Sequence, residues 1–355
     1  NVTKREGQEE PYNHIYRIQF SKTEPRQFVR GSEKLIIKWP SAGHGGGDLA
    51  FGPDGYLYVT SGDGTGGSDT DNTGQDLSDL AGSILRIDVD HPTEDLAYGI
   101  PPDNPFLDVE GARPEAWTNG HRQVWRLTFD EATGNLWAGE VGQDLWEMIH
   151  LIRRGGNYGW SVYEGSHPFM LERKLGPGTL YKPIVEHPHS EARSITGGYV
   201  YHGEQNPELK GMYIYCDYET GIVWGFRYVD GQVQDHRMLA DSTYKVATFG
   251  RDHAGELYLV ALSGEIFSLT PTPSTGAPTE EFPRKLSETG LFTSVEQQIP
   301  AAGVIPYSVN APAWADGADV QRFLGLPGSD QITFGNNRGW EFQDGTVAVQ
   351  TLSLE

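Results

Sequence analysis

Apolar and polar residues alternate along this chain in short runs that end at glycine, proline or aspartate. Long stretches at the helical period are nearly absent, so the predicted elements are strands. The pattern is densest from Ser41 to Asp63. There Asp48-Leu49-Ala50-Phe51 predicts a short strand and Gly52-Pro53-Asp54-Gly55 a tight turn. Tyr56-Leu57-Tyr58-Val59-Thr60, rich in aromatic and β-branched residues, predicts the return strand. The same hairpin recurs at 127–138 and 247–260: a small or apolar residue, Phe129 or Phe249, a turn with Asp and Gly, then a strand with an aromatic. Repetition of a four-stranded unit at about 40–50 residues, stretched by insertions, is the sign of a β-propeller.

Further strands are predicted at 14–20, 33–38, 83–89, 124–127, 198–201, 212–217, 222–226 and 265–269. The first two read as outer strands of a blade that starts upstream. With Asn1 in place of an initiator Met, the chain is expected to be a piece of a longer protein. Pro271 to Pro278 is a semi-rigid linker. The expected organisation is all-β: a propeller over 1–271 lacking its opening blade, a linker over 272–281, and a partial β-rich unit over 282–355 with a turn at 342–346.

Composition agrees with that class: 45 glycines and 22 prolines stand among 355 residues that are 37% hydrophobic. A net charge of −22 argues against nucleic acid, whose phosphates select basic surfaces. No apolar run approaches the ~18 residues that span a bilayer. The single cysteine, Cys216, excludes an internal disulfide and any CxxC metal or CxxCH haem site within this chain.

In a propeller the starts of inner strands converge on the central channel. His44 lies in a glycine-rich loop before one hairpin, and His121-Arg122-Gln123 before another, so an imidazole and a guanidinium are placed to address one ligand. Histidine titrates where a general base must. The spaced Asp and Asn oxygens of 62–72 suit either a hard cation or a solvated loop. His187 and His189, two apart, point to opposite sides of an extended segment and are a poor joint metal site. His150 reads as a rim or packing residue, Gly155 to Trp160 as a tight turn with a packed indole, and 98–106 as a proline-rigid loop at the channel rim. Glu140 and Asp144 are either metal-adjacent or solvated.

GHGGGDLAFGPDGYLYVTSGDG (43–64), DLAGSILRIDVD (79–90) and TNGHRQVWRLTFDEATGNLWAGEVGQDLWEMIHLIRRGGNYGW (118–160) together resemble the soluble glucose/sorbosone dehydrogenase family. The resemblance covers about 10–270. It implies a six-bladed propeller that oxidises sugars with pyrroloquinoline quinone (PQQ) and Ca²⁺. It implies His44 as the catalytic base and Arg122 as the residue that contacts PQQ and stabilises charge on it. Gln123 stands where the family often has Asn. The backbone carbonyls of Gly142 and Gln143 are the implied Ca²⁺ ligands, although part of the family has Pro at the second position. The family supplies further Lys and Arg from later blades. Here 217–224 has no basic residue, and Arg193, Lys210 and Arg251 are the candidates, with Arg193 expected to bind the cofactor. The tail from Phe282 resembles the segment preceding a c-type haem domain in some bacterial members. This implies a sugar substrate, a c-type cytochrome acceptor, and a periplasmic or extracellular setting. The same domain occurs in hedgehog-interacting proteins, so a carbohydrate- or protein-binding propeller without PQQ is the alternative. A lactonase-like propeller would need several carboxylates at the channel centre, where this sequence places mainly His, Arg and Gln.

Overall fold

Leu49–Phe51 and Leu57–Ser61 pair antiparallel across the Gly52–Gly55 turn in a computed structural model of the chain. It describes residues 2–4, 11–271, 283, 285–329, 331–335, 339–343 and 345–354. Two units separate, Asn1–Thr272 and Pro273–Glu355. The expected linker over 272–281 lies outside the described residues, as does Asp344 of the expected turn at 342–346.

The first unit is a β-propeller of five successive sheets among the described residues, with a small added hairpin of Tyr163–Glu164 and His167–Pro168. The first holds Val2–Lys4, Tyr12–Arg17 and Lys34–Pro40. Leu49–Phe51, Leu57–Ser61, Ser83–Ile87 and Ala116–Asn119 make the second, extended in parallel by Gly156–Asn157 and Thr179–Leu180. The third is Val124–Phe129, Leu136–Glu140, Trp146–Ile152 and Val185–Pro188. Ile195–Val200, Tyr213–Asp217, Val223–Val229 and Gln232–Ala240 form the fourth, and Val246–Arg251, Leu257–Ala261 and Ile266–Ser268 the fifth. The leading strands of sheets two to five lie side by side in that order. They are tied by side chains that reach across: Thr128 Oγ1 donates to Gly198 O at 2.8 Å and Thr196 Oγ1 to Val246 O at 2.7 Å.

Successive strand residues face opposite sides, and here each side meets another sheet. Tyr213 and Tyr215 pack on Trp137, Ile149 and Leu151 of the third sheet. Their neighbours Ile214 and Cys216 pack on Val246, Phe249, Leu257 and Leu259 of the fifth. In the same way Leu57 and Val59 face Ile15, Ile37 and Trp39, while Tyr58 faces Val124 and Leu127. Central strands are therefore apolar on both faces, and Cys216 is a buried packing residue whose thiol burial pushes well up.

The first long strand is Tyr12–Arg17 rather than 14–20, because the chain leaves the sheet for a loop closed by a Phe20–Phe28 bridge. The loop over 98–106 does not rim the His44 end. Arg86 ties Asp103 and Asn104 to Asp54 in the hairpin turn, at the opposite end of the sheet. The second unit holds two short hairpins, Phe292–Ser294 with Ile299–Pro300 and Thr333–Gly335 with Gly339–Glu341. Its third element is the sheet Ile305–Pro306, Asp319–Gly325, Val347–Ser353. There is no α-helix among the described residues.

Candidate functional site

His44 lies between the last strand of the first sheet and the first strand of the second. Two loops zip together there. Gly43 N–H donates to Gly64 O at 2.8 Å, His44 N–H to Thr65 O at 3.0 Å, and Gly64 N–H to His44 O at 3.0 Å. The approach is so close that a Cβ on Gly43 would stand 1.9 Å from Thr65 O, so only glycine is accommodated. The zipper sets the imidazole against a carboxylate, with His44 Nδ1 2.8 Å from Asp63 Oδ1. Asp63 is wholly buried, and the same oxygen accepts the N–H and Oγ1–H of Thr65 at 2.9 and 3.2 Å. Its other oxygen accepts Trp160 Nε1–H at 2.8 Å. A carboxylate can only accept, so Nδ1 carries the proton and Nε2 keeps the lone pair. The His44 side chain retains 19% exposure.

Asp63 also fastens the second element. Its N–H donates to Arg122 O at 2.9 Å, and Arg122 N–H donates to Glu140 Oε1 at 2.6 Å. The guanidinium donates from Nε to Gln143 Oε1 at 3.1 Å and from Nη1 to Val141 O at 3.2 Å, and it stands 5.7 Å over the Trp160 ring. Burial lowers the Arg122 pKa, and Asp63, Glu147, Glu140 and Glu164 pull it back up. Gln123 Oε1 accepts Gly46 N–H at 3.1 Å and so joins the His44 loop. Burial raises Glu140, but His121 at 2.9 Å and His150 at 3.2 Å outweigh it and hold the carboxyl well below its ordinary range. Glu140 is thus buried rather than solvated, and of the two readings of His150 it is the packing one that holds. The two residues form the buried seat beneath Arg122.

The loop at Gly142–Gln143 is shaped by two buried carboxylates. Glu147 Oε1 accepts Gly142 N–H at 3.2 Å. Glu164 Oε1 accepts the N–H groups of Gln143 and Asp144, both at 2.6 Å, and of Leu145 at 3.1 Å. A Cβ on Gly142 would meet Trp146 O at 1.7 Å. With the N–H groups drawn to the carboxylates, no donor among the described residues reaches the carbonyl oxygens of Gly142 and Gln143. Two free hard oxygens fit Ca²⁺. No group of three or more His, Cys, Asp or Glu side chains placed to hold a metal occurs among the described residues. In the loop at 62–72 Asp69 is buried and accepts from Thr73, Gly74 and Ser161, whereas Thr70, Asp71 and Asn72 are exposed.

His44, Arg122, Gln123 and Gln143 are therefore joined by hydrogen bonds, directly or through one residue, and Gly142 adjoins Gln143 in the chain. Arg193 stands outside. Its side chain is exposed and donates from Nε to His189 O at 3.3 Å, while His189 Nε2 lies 3.0 Å from Glu147 Oε1. Arg193 thus reaches the Gly142 loop only through His189 and Glu147. Lys210, beyond the far end of Ile195–Val200, pairs with Glu204, and Arg251, at the far end of Val246–Arg251, pairs with Glu131. His187 is in the core, on Tyr215. Sequence reasoning missed Asp63, Trp160, Glu147 and Glu164. Asp63 had a signal, an acid ending the return strand of the histidine hairpin. Glu164 had none, since an acid among polar loop residues looks like any other.

The glucose/sorbosone dehydrogenase family profile matches residues 2–267. The HIPL1 protein of Arabidopsis thaliana is 40% identical over 207 residues, which is 52% of this chain and 30% of that protein's length. A crystal structure of a glucose dehydrogenase superposes with a TM-score of 0.62 at 23% identity, covering 76% of this chain and 77% of the other. The PQQ-bound aldose sugar dehydrogenase of Streptomyces coelicolor gives 0.54 at 24% identity, covering 71% and 69%. The structural likenesses establish the propeller fold. The chain belongs to the glucose/sorbosone dehydrogenase family.

Proposed function

We propose that this chain oxidises an aldose with PQQ and Ca²⁺, using His44 as general base and Arg122 as the anion clamp. The observation that carries the reading is the pairing of His44 Nδ1 with buried Asp63, on the same residue whose N–H holds Arg122. His44 Nε2 accepts the proton of a sugar hydroxyl, and Asp63 both fixes the tautomer and stabilises the imidazolium that results. PQQ would supply the hydride acceptor at this site and Ca²⁺ a Lewis acid. Arg122, oriented by Gln143 and Val141 over the Trp160 face, presents its remaining N–H donors to an anionic edge. The Gly142 and Gln143 carbonyls are the Ca²⁺ ligands in this scheme. Similarity to a PQQ-bound aldose sugar dehydrogenase supports it. A c-type cytochrome is then the electron acceptor and a periplasmic or extracellular space the compartment. No helix among the described residues is long and apolar enough to cross a membrane.

One observation favours a second reading, a carbohydrate- or protein-binding propeller without the quinone. Of the basic residues expected to neutralise the PQQ carboxylates, Arg193, Lys210 and Arg251 all have partners away from His44, and unpaired carboxylates bind poorly. Titration with PQQ, with and without Ca²⁺, followed by dye reduction with an aldose panel, separates the two. Calcium-dependent binding with aldose-driven reduction supports the dehydrogenase. Absence of PQQ binding at micromolar concentration selects the binding propeller.

A further inference from the structure

One oxygen of Gln143 receives two donors. Arg122 Nε–H reaches Gln143 Oε1 at 3.1 Å, and Ser68 N–H reaches the same atom at 3.0 Å. A carbonyl oxygen has two lone pairs, so both are committed, and Ser68 places the Gln143 amide as much as that amide places Arg122. Ser68 belongs to a strap over 65–69 that starts at Thr65, whose carbonyl accepts His44 N–H at 3.0 Å. Ser68 and Asp69 both stand in the left-handed region, with φ of 53° and 47°. That conformation is unfavourable for residues other than glycine and persists only where the surroundings hold it.

Two different anchors hold this pair. The buried Asp69 carboxylate accepts from Thr73 N–H at 2.8 Å, Gly74 N–H at 3.1 Å and Ser161 Oγ–H at 2.7 Å. Arg173 Nη1 donates to Ser68 O at 3.1 Å and to Ser161 Oγ, and stands 3.6 Å from Asp69 Oδ2. Without Arg173 the Asp69 carboxylate would keep its other donors. Ser68 O would keep none among the described residues. The loss therefore falls on Ser68, and from there on Gln143. We propose that Arg173 is a positioning residue for Arg122: it fastens the strap, the strap fixes Gln143, and Gln143 sets the direction of the guanidinium that meets an anion. The segment that carries Arg173 grips Gln143 from the other end as well, since Glu164 Oε1 accepts the Gln143 backbone N–H at 2.6 Å. It also packs Phe169 on Trp160, the ring beneath Arg122, at 4.9 Å between centroids. With Gln143 released, Arg122 would be left to pivot about its bond to Val141 O.

Only the consequence for PQQ rests on the dehydrogenase reading. The orientation itself is measured without cofactor, as hydrogen exchange of Arg122 Nε–H by ¹⁵N NMR of the whole chain. Arg86 Nε–H, bonded to Asp54 at 3.0 Å at the opposite end of its sheet, is the internal control. Arg173→Met should speed exchange at Arg122 by about tenfold or more, the worth of one hydrogen bond to a charged group, and leave Arg86 unchanged. Arg173→Lys, which retains a charge and a donor, should return most of that difference. In a Gln143→Ala background Arg173→Met should have no further effect at Arg122. Arg173→Gln, a shorter neutral side chain, takes the place of Arg173→Met if the latter does not fold, with the same expected result. Unchanged exchange at Arg122, equal acceleration at Arg86, or an undiminished effect without Gln143 would each overturn the proposal. In PQQ titrations Arg173→Met should weaken binding by about fivefold or more. A parent chain that binds no PQQ removes the dehydrogenase reading, while exchange at Arg122 still decides the role of Arg173.

Discussion

His44 and Asp63 divide one task. The imidazole supplies a lone pair at Nε2, and the carboxylate, held by Thr65 and Trp160, keeps that lone pair aimed. In the PQQ-loaded protein, His44→Ala should lower turnover by about 10²–10⁴, the usual worth of a positioned base, while PQQ binding is retained. Turnover within a factor of two of the parent would remove His44 from the chemistry. Asp79 shows the opposite use of burial. Desolvation, aided by Asp76 and Asp69 and opposed by the Ala81 N–H, pushes its carboxyl up to about 6 from an ordinary 3.8. The folded state therefore holds this proton more tightly than the unfolded state. That stabilisation is complete below about pH 3.8 and is lost as pH rises through about 6. Asp79→Asn, neutral throughout, should accordingly melt above the parent at pH 7.5, with the gap closing by pH 4. A gap independent of pH would mean that the charge on Asp79 is not what opposes folding.

At the scale of elements, the Gly142–Leu145 loop depends on an acid from a distant hairpin. Glu164 is 3% exposed and gathers four successive N–H groups, that of Trp146 at a long 3.4 Å. Glu164→Ala removes the acceptor these donors share, at about 1–3 kcal/mol for each that cannot find water. Denaturant unfolding should register a loss of about 3 kcal/mol or more, with Glu164→Gln, which retains one acceptor, in between. Equal stability of all three proteins would show that the loop holds itself. Such dependence also marks what the sequence could reveal. Hairpins whose turn residues adjoin their strands were legible, because the information is local. So was the convergence of His44 with Arg122 and Gln123, which follows from inner-strand starts meeting at one channel. Asp63 was overlooked because it reads as one more acid where the return strand gives way to a polar loop, and Glu164 because its partners lie about twenty positions away with no periodic relation. Arg193 sits where an inner-strand start should, yet its side chain goes to His189, a choice made by side-chain packing that spacing does not encode.

For the molecule as a whole, the arrangement of sheets explains why central strands are apolar on both faces and why charge gathers on loops and outer strands. Tyr213 and Tyr215 serve one interface while Ile214 and Cys216 serve the next, leaving little polar alternation in Tyr213–Asp217. The ionisable residues carry a net −22. A field of that sign draws cationic partners and repels anionic ones, over about 30 Å at 0.01 M salt but only about 8 Å at 0.15 M. If the chain passes electrons to a c-type cytochrome, the sign of that protein's charge matters. The second-order rate with a basic cytochrome should fall about tenfold or more between these two salt concentrations. Ferricyanide, an anion, should be reduced faster as salt rises, and an uncharged quinone dye should be indifferent. A basic cytochrome whose rate does not change with salt would mean that the acidic surface serves solubility alone and that transfer occurs at a face where this charge is not felt.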